Sequence, residues 1–144
     1  MLFRNISWLG DWQVIILASI VILLIWLHKG KQLYSVPFLL SIFSAGITTF
    51  ILKILIARPR PIDGLILEND FSFPSGHATI AISFYGFLTY IAVQNADTKF
   101  EKNIGLLFGI SIIILIGLSR LYLGVHYTSD VIAGYCVGLC GLWL

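Results

Sequence analysis

Five apolar runs constrain this chain more than any other feature of it. They extend from Gln13 to Leu27, Leu33 to Ala57, Ala78 to Val93, Ile104 to Leu118 and Val131 to Leu144, and charged side chains are nearly confined to the breaks between them. A helix needs roughly 20 predominantly apolar residues to cross a bilayer; the second run exceeds that, and the first comes near it with its Trp flanks. Hydrophobic residues make up 58% of the 144, above the roughly 45–50% of soluble domains. The expected fold is an all-α, polytopic membrane helix bundle of about five transmembrane helices in a single domain, 1–144. The last run would span only about 21 Å, short of the roughly 30 Å hydrocarbon core, which leaves truncation at one or both ends an open reading of the domain.

The chain begins with a polar lead, Met1 to Asp11, in which Trp8 and Trp12 read as interface aromatics. A signal peptide is the competing reading of this region. Asp11 interrupts the lead and no small-x-small cleavage site follows Leu27, which favours a first transmembrane helix. In the second run Pro37 suits a first helical turn, and Ser41, Ser44, Ala45 and Gly46 are small enough for close helix packing. Lys53 lies near its far end, where an ionisable side chain is either functional or snorkelling to the interface. Arg58-Pro59-Arg60-Pro61 stops that helix. The long connection that follows carries Asp63, Glu68 and Asp70, which read as a solvated loop face. Ser75 is expected to cap the third helix, whose first N–H groups suit an anion. The stretch from Gln94 to Asn103 reads as a plain loop. Cys136 and Cys140, four apart, are expected to be buried free thiols on one helix face.

Helix parity brings the polar clusters together. If five helices cross in series, the N-terminus, the Lys53-to-His77 connection and the Ser119-to-Asp130 connection share one membrane face. The 28–35 and 94–103 loops share the other. Lys53, Arg60 and Arg120 then converge beside the backbone donors of Ser75 and Gly76, a set suited to the several anionic oxygens of a phosphate. A neutral imidazole can attack phosphorus, a protonated one can donate to a leaving oxygen, and a carboxylate can fix a tautomer. His126 and Asp130 are four apart, so a helical turn would bring them together. They read poorly as metal ligands, because metal sites usually draw three or four protein ligands and the neighbours here are cationic. The net charge of +2, without any Lys/Arg-rich run, gives no support for nucleic-acid binding.

Lys53-x6-Arg60-Pro61, Pro74-Ser75-Gly76-His77 and Ser119-Arg120-x5-His126-x3-Asp130 together resemble, in order and spacing, the three signature motifs of the type 2 phosphatidic acid phosphatase family. These are integral-membrane lipid phosphatases that share their fold with vanadium haloperoxidases. The resemblance implies that Lys53, Arg60, Ser75, Gly76 and Arg120 hold the phosphate. It further implies His126 as nucleophile, Asp130 as its partner and His77 as general acid, with a phosphohistidine intermediate and no metal or other cofactor. Arg58 falls outside the motif's fixed positions. The implied substrate is a lipid phosphate or diphosphate of the undecaprenyl diphosphate, phosphatidylglycerophosphate or phosphatidic acid class. The family commonly has six transmembrane helices, so a five-helix chain is either a compact or a truncated member. The rival readings are a haloperoxidase-like enzyme, disfavoured by the apolar helices, and a non-catalytic membrane protein that binds anionic lipid. Once the cations assigned to phosphate are set aside, Lys29, Lys31, Lys99 and Lys102 favour their side as cytoplasmic. The expected location is the plasma (inner) membrane, with the site on the non-cytoplasmic face.

Overall fold

A computed structural model describes residues 1–143; Leu144, the last residue of the fifth run, lies outside the described residues. The described chain is helical, without a strand. Its helices are α1 (Leu2–Trp8), α2 (Trp12–His28), α3 (Ser35–Ile56), α4 (Gly76–Gln94), α5 (Lys99–Tyr122) and α6 (Thr128–Leu142). By length and apolarity α3, α4 and α5 could each cross a membrane, and α1 with α2 would make a fourth span bent by 50°. At 15 residues, α6 covers about 22 Å.

Two polar stretches are more ordered than the sequence suggested. The N-terminal lead forms α1, which ends in a turn through Leu9 and Gly10, and extended backbone at Asp11 redirects the chain into α2. The supposed loop from Gln94 to Asn103 is helical from Lys99 onward. Thr98 Oγ1 accepts the Glu101 N–H at 3.2 Å while Glu101 Oε2 accepts the Thr98 N–H at 3.1 Å. This reciprocal cap gives acceptors to two otherwise unpaired backbone donors at the start of α5.

The bundle is packed differently at its two ends. Near the 28–35 connection, Trp26, Phe38, Phe84 and Phe87 form an aromatic cluster with Ile15. Towards the opposite end, α6 lies against α4 through glycines. A Cβ at Gly134 would come within 2.6 Å of Ser75 O, and one at Gly138 within 2.6 Å of Thr79 O. Without side chains there the backbones can approach closely, as membrane helices commonly require. This approach seats the first turn of α6 on the entry to α4, where the Ser75 N–H donates to Asp130 O at 2.9 Å. Because the glycine face is the buried one, Cys136 and Cys140 are turned out of the bundle, and both thiols are exposed rather than buried. On α3, Ser41, Ser44 and Ala45 do face α6 at Gly141, whereas Gly46 meets no neighbour and lines a cavity instead.

Candidate active site

All three polar clusters meet at one end of the bundle. Lys53 comes from the last turn of α3 and Arg60 from the proline-rich stretch after it. Gly76 and His77 open α4, Arg120 is in the last turn of α5, His126 precedes α6, and Asp130 lies in the first turn of α6. Lys53, Arg60, Gly76, His77 and His126 line a cavity of about 960 Å³, whose remaining walls are largely apolar side chains of α2 and α3, including Ile15, Ile16, Phe43, Ile47 and Phe50. Ser75 and Asp130 are fully buried outside that lining. Arg120 lines a smaller cavity of about 240 Å³, which shares Asp11 and Glu68 with the larger one.

Backbone contacts fix the nucleophile candidate. Arg60 Nη1 donates to Val125 O at 2.9 Å and lies 3.2 Å from His126 Nε2. A guanidinium can only donate, so Nε2 presents its lone pair and the ring proton belongs on Nδ1. Nδ1 faces Asp130 Oδ2 at 3.5 Å, within ion-pair reach but too long for a hydrogen bond. The expected helical turn between His126 and Asp130 is not what joins them. His126 precedes α6, and Asp130 folds back to accept the Tyr127 N–H at 2.9 Å. Burial first, then the charges of Arg60, Arg120, Lys53 and His77, push the His126 imidazole down to about 2, which keeps it neutral.

Two of the three loop carboxylates, Glu68 and Asp70, are ion-paired to the cations of the site rather than simply solvated. Glu68 Oε2 lies 2.6 Å from Arg60 Nη2, and its other oxygen pairs with Arg120 Nη2. Asp70 Oδ2 is 2.8 Å from Lys53 Nζ, while Oδ1 pairs with Arg60 Nη2. Three concentrated cations in a partly buried place require counter-charge, and the loop long enough to reach them supplies it. Burial pushes the Asp70 carboxyl up, but hydrogen bonds and charge from Lys53 and Arg60 outweigh it and hold the group below its ordinary value. Asp63 is exposed, as expected of a loop carboxylate.

Arg58, outside the motif positions, is part of the assembly. Its Nη1 donates to Asp130 Oδ1 at 2.8 Å and to Ser129 Oγ at 2.7 Å, and the guanidinium lies 4.1 Å from the centre of the Tyr127 ring. Asp130 is fully buried, and Arg58 balances its charge. Ser75 occupies the cap position of α4 without capping it. Its hydroxyl is buried and has no protein partner, as are Arg120 Nε and His126 Nδ1. Buried polar atoms of native proteins are nearly always partnered; with His126 Nδ1 turned to Asp130, the Ser75 hydroxyl and Arg120 Nε are the two left open to a polar ligand.

Two further contacts come from the N-terminal lead, whose composition suggests only an interfacial segment. Ser7 Oγ accepts from Arg120 Nη1 at 2.6 Å, and Asp11 Oδ1 lies 2.7 Å from His77 Nε2. Asp11 was legible only as a charge interrupting the lead, and Ser7 carried no signal. Among the described residues, no group of three His, Cys, Asp or Glu side chains is arranged to hold a metal.

Known proteins match both sequence and fold. The family model described as the PAP2 superfamily matches residues 34–144. The chain is 40% identical over 92 residues to phosphatidylglycerophosphatase B of Bacillus subtilis, covering 62% of this chain and 45% of that protein. Over 122 residues it is 30% identical to an undecaprenyl-diphosphatase of Sulfolobus acidocaldarius, covering 80% of this chain and 55% of the relative. It thus spans about half the length of these curated relatives. The crystal structure of a transmembrane PAP2-type phosphatidylglycerolphosphate phosphatase from Bacillus subtilis superposes with a TM-score of 0.91 at 29% identity, covering 99% of this chain and 72% of that one. Aquifex aeolicus LpxE superposes with a TM-score of 0.65 at 30% identity, covering 99% and 82%. With the three motifs at one end of a helical bundle and more than half its length matched by the family model, this chain belongs to the PAP2 superfamily.

Proposed function

We propose that the protein is a membrane-embedded, metal-independent phosphatase that removes the terminal phosphate of a lipid phosphate or diphosphate. The observation that carries this reading is the pairing of a neutral, buried His126 with Arg60 at 3.2 Å, in a cavity whose cations sit at one end and whose other walls are apolar. A charged headgroup suits the first part and an acyl or prenyl chain the second. The names of the relatives, phosphatidylglycerophosphatase and undecaprenyl-diphosphatase, support this substrate class.

In this reading Lys53, Arg60, Arg120 and the entry to α4 at Ser75 and Gly76 hold the phosphate oxygens. Most of the work in phosphoryl transfer is such positioning and charge stabilisation. His126 Nε2 attacks phosphorus, the bond from phosphorus to the lipid oxygen breaks, and His77 gives that oxygen a proton. Water then attacks the phosphohistidine, His77 takes up its proton, and inorganic phosphate leaves with His126 restored. Asp130 holds the His126 ring and balances the charge that develops on it. Glu68 and Asp70 occupy the donors that phosphate would use, so they swing aside when substrate enters.

Phosphate release by the detergent-solubilised chain from phosphatidylglycerophosphate, undecaprenyl diphosphate and phosphatidic acid tests the activity and ranks the substrates. Turnover that survives EDTA and is inhibited by vanadate fits the reading. Abolition by chelator with rescue by one metal overturns it, and lipid binding without turnover would leave a non-catalytic anionic-lipid binder. We place the site on the non-cytoplasmic face of the plasma membrane, with Lys29, Lys31, Lys99 and Lys102 inside. Single Ile66→Cys and Lys99→Cys variants, with Cys136 and Cys140 replaced by serine, test the orientation in intact cells. An impermeant reagent should label position 66 and spare position 99; the reverse contradicts the orientation.

A further inference from the structure

The N-terminal segment forms a hook over the site. Phe3 stacks on Tyr122 with ring centres 4.3 Å apart, Leu9 O accepts from Tyr85 Oη at 2.7 Å, and Ser7 accepts from Arg120. These contacts anchor the turn between α1 and α2 directly against His77. Gly10 lies so near that an added Cβ would stand 2.9 Å from His77 Cδ2, and Asp11 Oδ1 is 2.7 Å from Nε2. Asp11 also occupies the cap position of α2, where an aspartate normally accepts an N–H of the first turn. Its carboxylate makes no such bond and goes to His77 instead. The local preference of the residue has been diverted to a partner 66 positions away.

We propose that Asp11 is a positioning residue for His77, fixing the ring and the site of its transferable proton. An ionised carboxylate only accepts, so His77 must donate from Nε2. The hook covers the ring's Cδ2 edge and Nε2, which leaves Nδ1 as the nitrogen that exchanges a proton with the leaving oxygen and later with water. When Nδ1 gives up its proton, the neutral ring that remains is the Nε2–H tautomer, the form Asp11 already holds. Residues 1–33 lie outside the stretch matched by the family model, so this support comes from a part of the chain that the three motifs do not include.

The proposal rests on the phosphatase reading for its kinetic test and on geometry alone for its spectroscopic one. For the kinetic test, Asp11→Asn and Asp11→Ala are assayed in detergent on a lipid monophosphate and on p-nitrophenyl phosphate, whose leaving group scarcely needs a proton. Losing the outer-shell partner that orients a metal-ligating histidine typically lowers activity about 10- to 100-fold, and a loss of the same size is expected for Asp11. A fall in kcat of that size on the lipid is expected, with KM within about twofold, and less than about threefold loss on the aryl phosphate. Adding Asp11→Asn to His77→Ala should cost nothing further, because the two act through one group. Equal losses on both substrates, or losses that multiply in the double variant, overturn the proposal. For the spectroscopic test, nitrogen-15 histidine spectra of the whole chain, with His77 assigned through His77→Gln, should show the His77 proton on Nε2 in the wild type and a changed tautomer balance in Asp11→Ala. An unchanged His77 signal overturns the proposal even if turnover behaves as expected. A wild type inactive on both substrates would overturn the phosphatase reading, and the spectra would still decide the contact between Asp11 and His77.

Discussion

His126 is held from behind by the ends of two packed helices, whereas His77 is held from the side by a segment that loops over the bundle. Around His126 the fixing contacts are largely backbone: Arg60 on Val125 O, the Ser75 N–H on Asp130 O, and the Tyr127 N–H on the Asp130 carboxylate. The His126 side chain is 2% exposed, while that of His77 is 19% exposed and its one described polar partner, Asp11, is more open still. The difference matches what the two proposed roles require. A nucleophile must stay neutral and aimed, which burial among cations and a rigid mount provide. An acid that later acts as base must exchange protons with a leaving group and then with water, which needs an accessible edge.

Substitutions can break this contrast. The largest effect is expected from His126→Ala, which removes the covalent path and should abolish turnover on lipid and aryl phosphates alike, by about a thousandfold or more. His77→Ala should lose about 10²- to 10⁴-fold on a lipid monophosphate and recover much of its rate on an aryl phosphate. It should also accumulate an acid-labile phosphoenzyme wherever water attack becomes limiting. Equal inactivity of His77→Ala on both substrates, or rescue of His126→Ala by the good leaving group, would exchange or erase the roles. A smaller effect of opposite sign is expected at the loop. Glu68→Gln removes a competitor for Arg60 and Arg120, so inhibition by inorganic phosphate should tighten about three- to tenfold, in keeping with a partly exposed charge-assisted pair. Unchanged or weaker inhibition would mean that Glu68 helps to build the phosphate site.

The smallest expected effect is on stability. Folding moves the His126 imidazole from its ordinary 6.5 to about 2, so between those values the unfolded chain binds a proton that the folded chain refuses. The stabilisation from keeping His126 neutral is therefore complete above about pH 6.5 and declines as pH falls towards about 2. The thermal midpoint in detergent should drop by a few degrees between about pH 7 and pH 5, and His126→Gln should flatten that slope. A wild-type slope unaltered by His126→Gln would assign the pH dependence to other groups.

The residues that sequence patterns made legible are those at helix ends, where parity and spacing fix position. Lys53, Arg60, His77, Arg120, His126 and Asp130 were all expected at one end of the bundle, and they meet there. The partners of these residues were not legible, because loop paths decide them. Glu68 reaches Arg120 across 52 positions and Ser7 reaches it across 113, and no local periodicity encodes either contact. Ser75 looked like a helix cap on local chemistry, yet the close approach of α6 gives its backbone N–H to Asp130 and leaves its hydroxyl buried without a partner. The cysteines were misplaced for a related reason. In an apolar helix every face looks fit for burial, and the glycines at 134, 138 and 141 select the buried one.

Trapping the phosphoenzyme tests most directly whether a neutral, buried His126 carries the phosphoryl group. The chain is mixed with a lipid phosphate labelled with phosphorus-32, quenched in alkali within one turnover, and the labelled peptide is mapped. An alkali-stable, acid-labile phosphoryl group is expected on His126, absent from His126→Ala and prolonged in His77→Ala. Label on any other residue, or wild-type turnover whose labelled intermediate persists in His126→Ala, would contradict it.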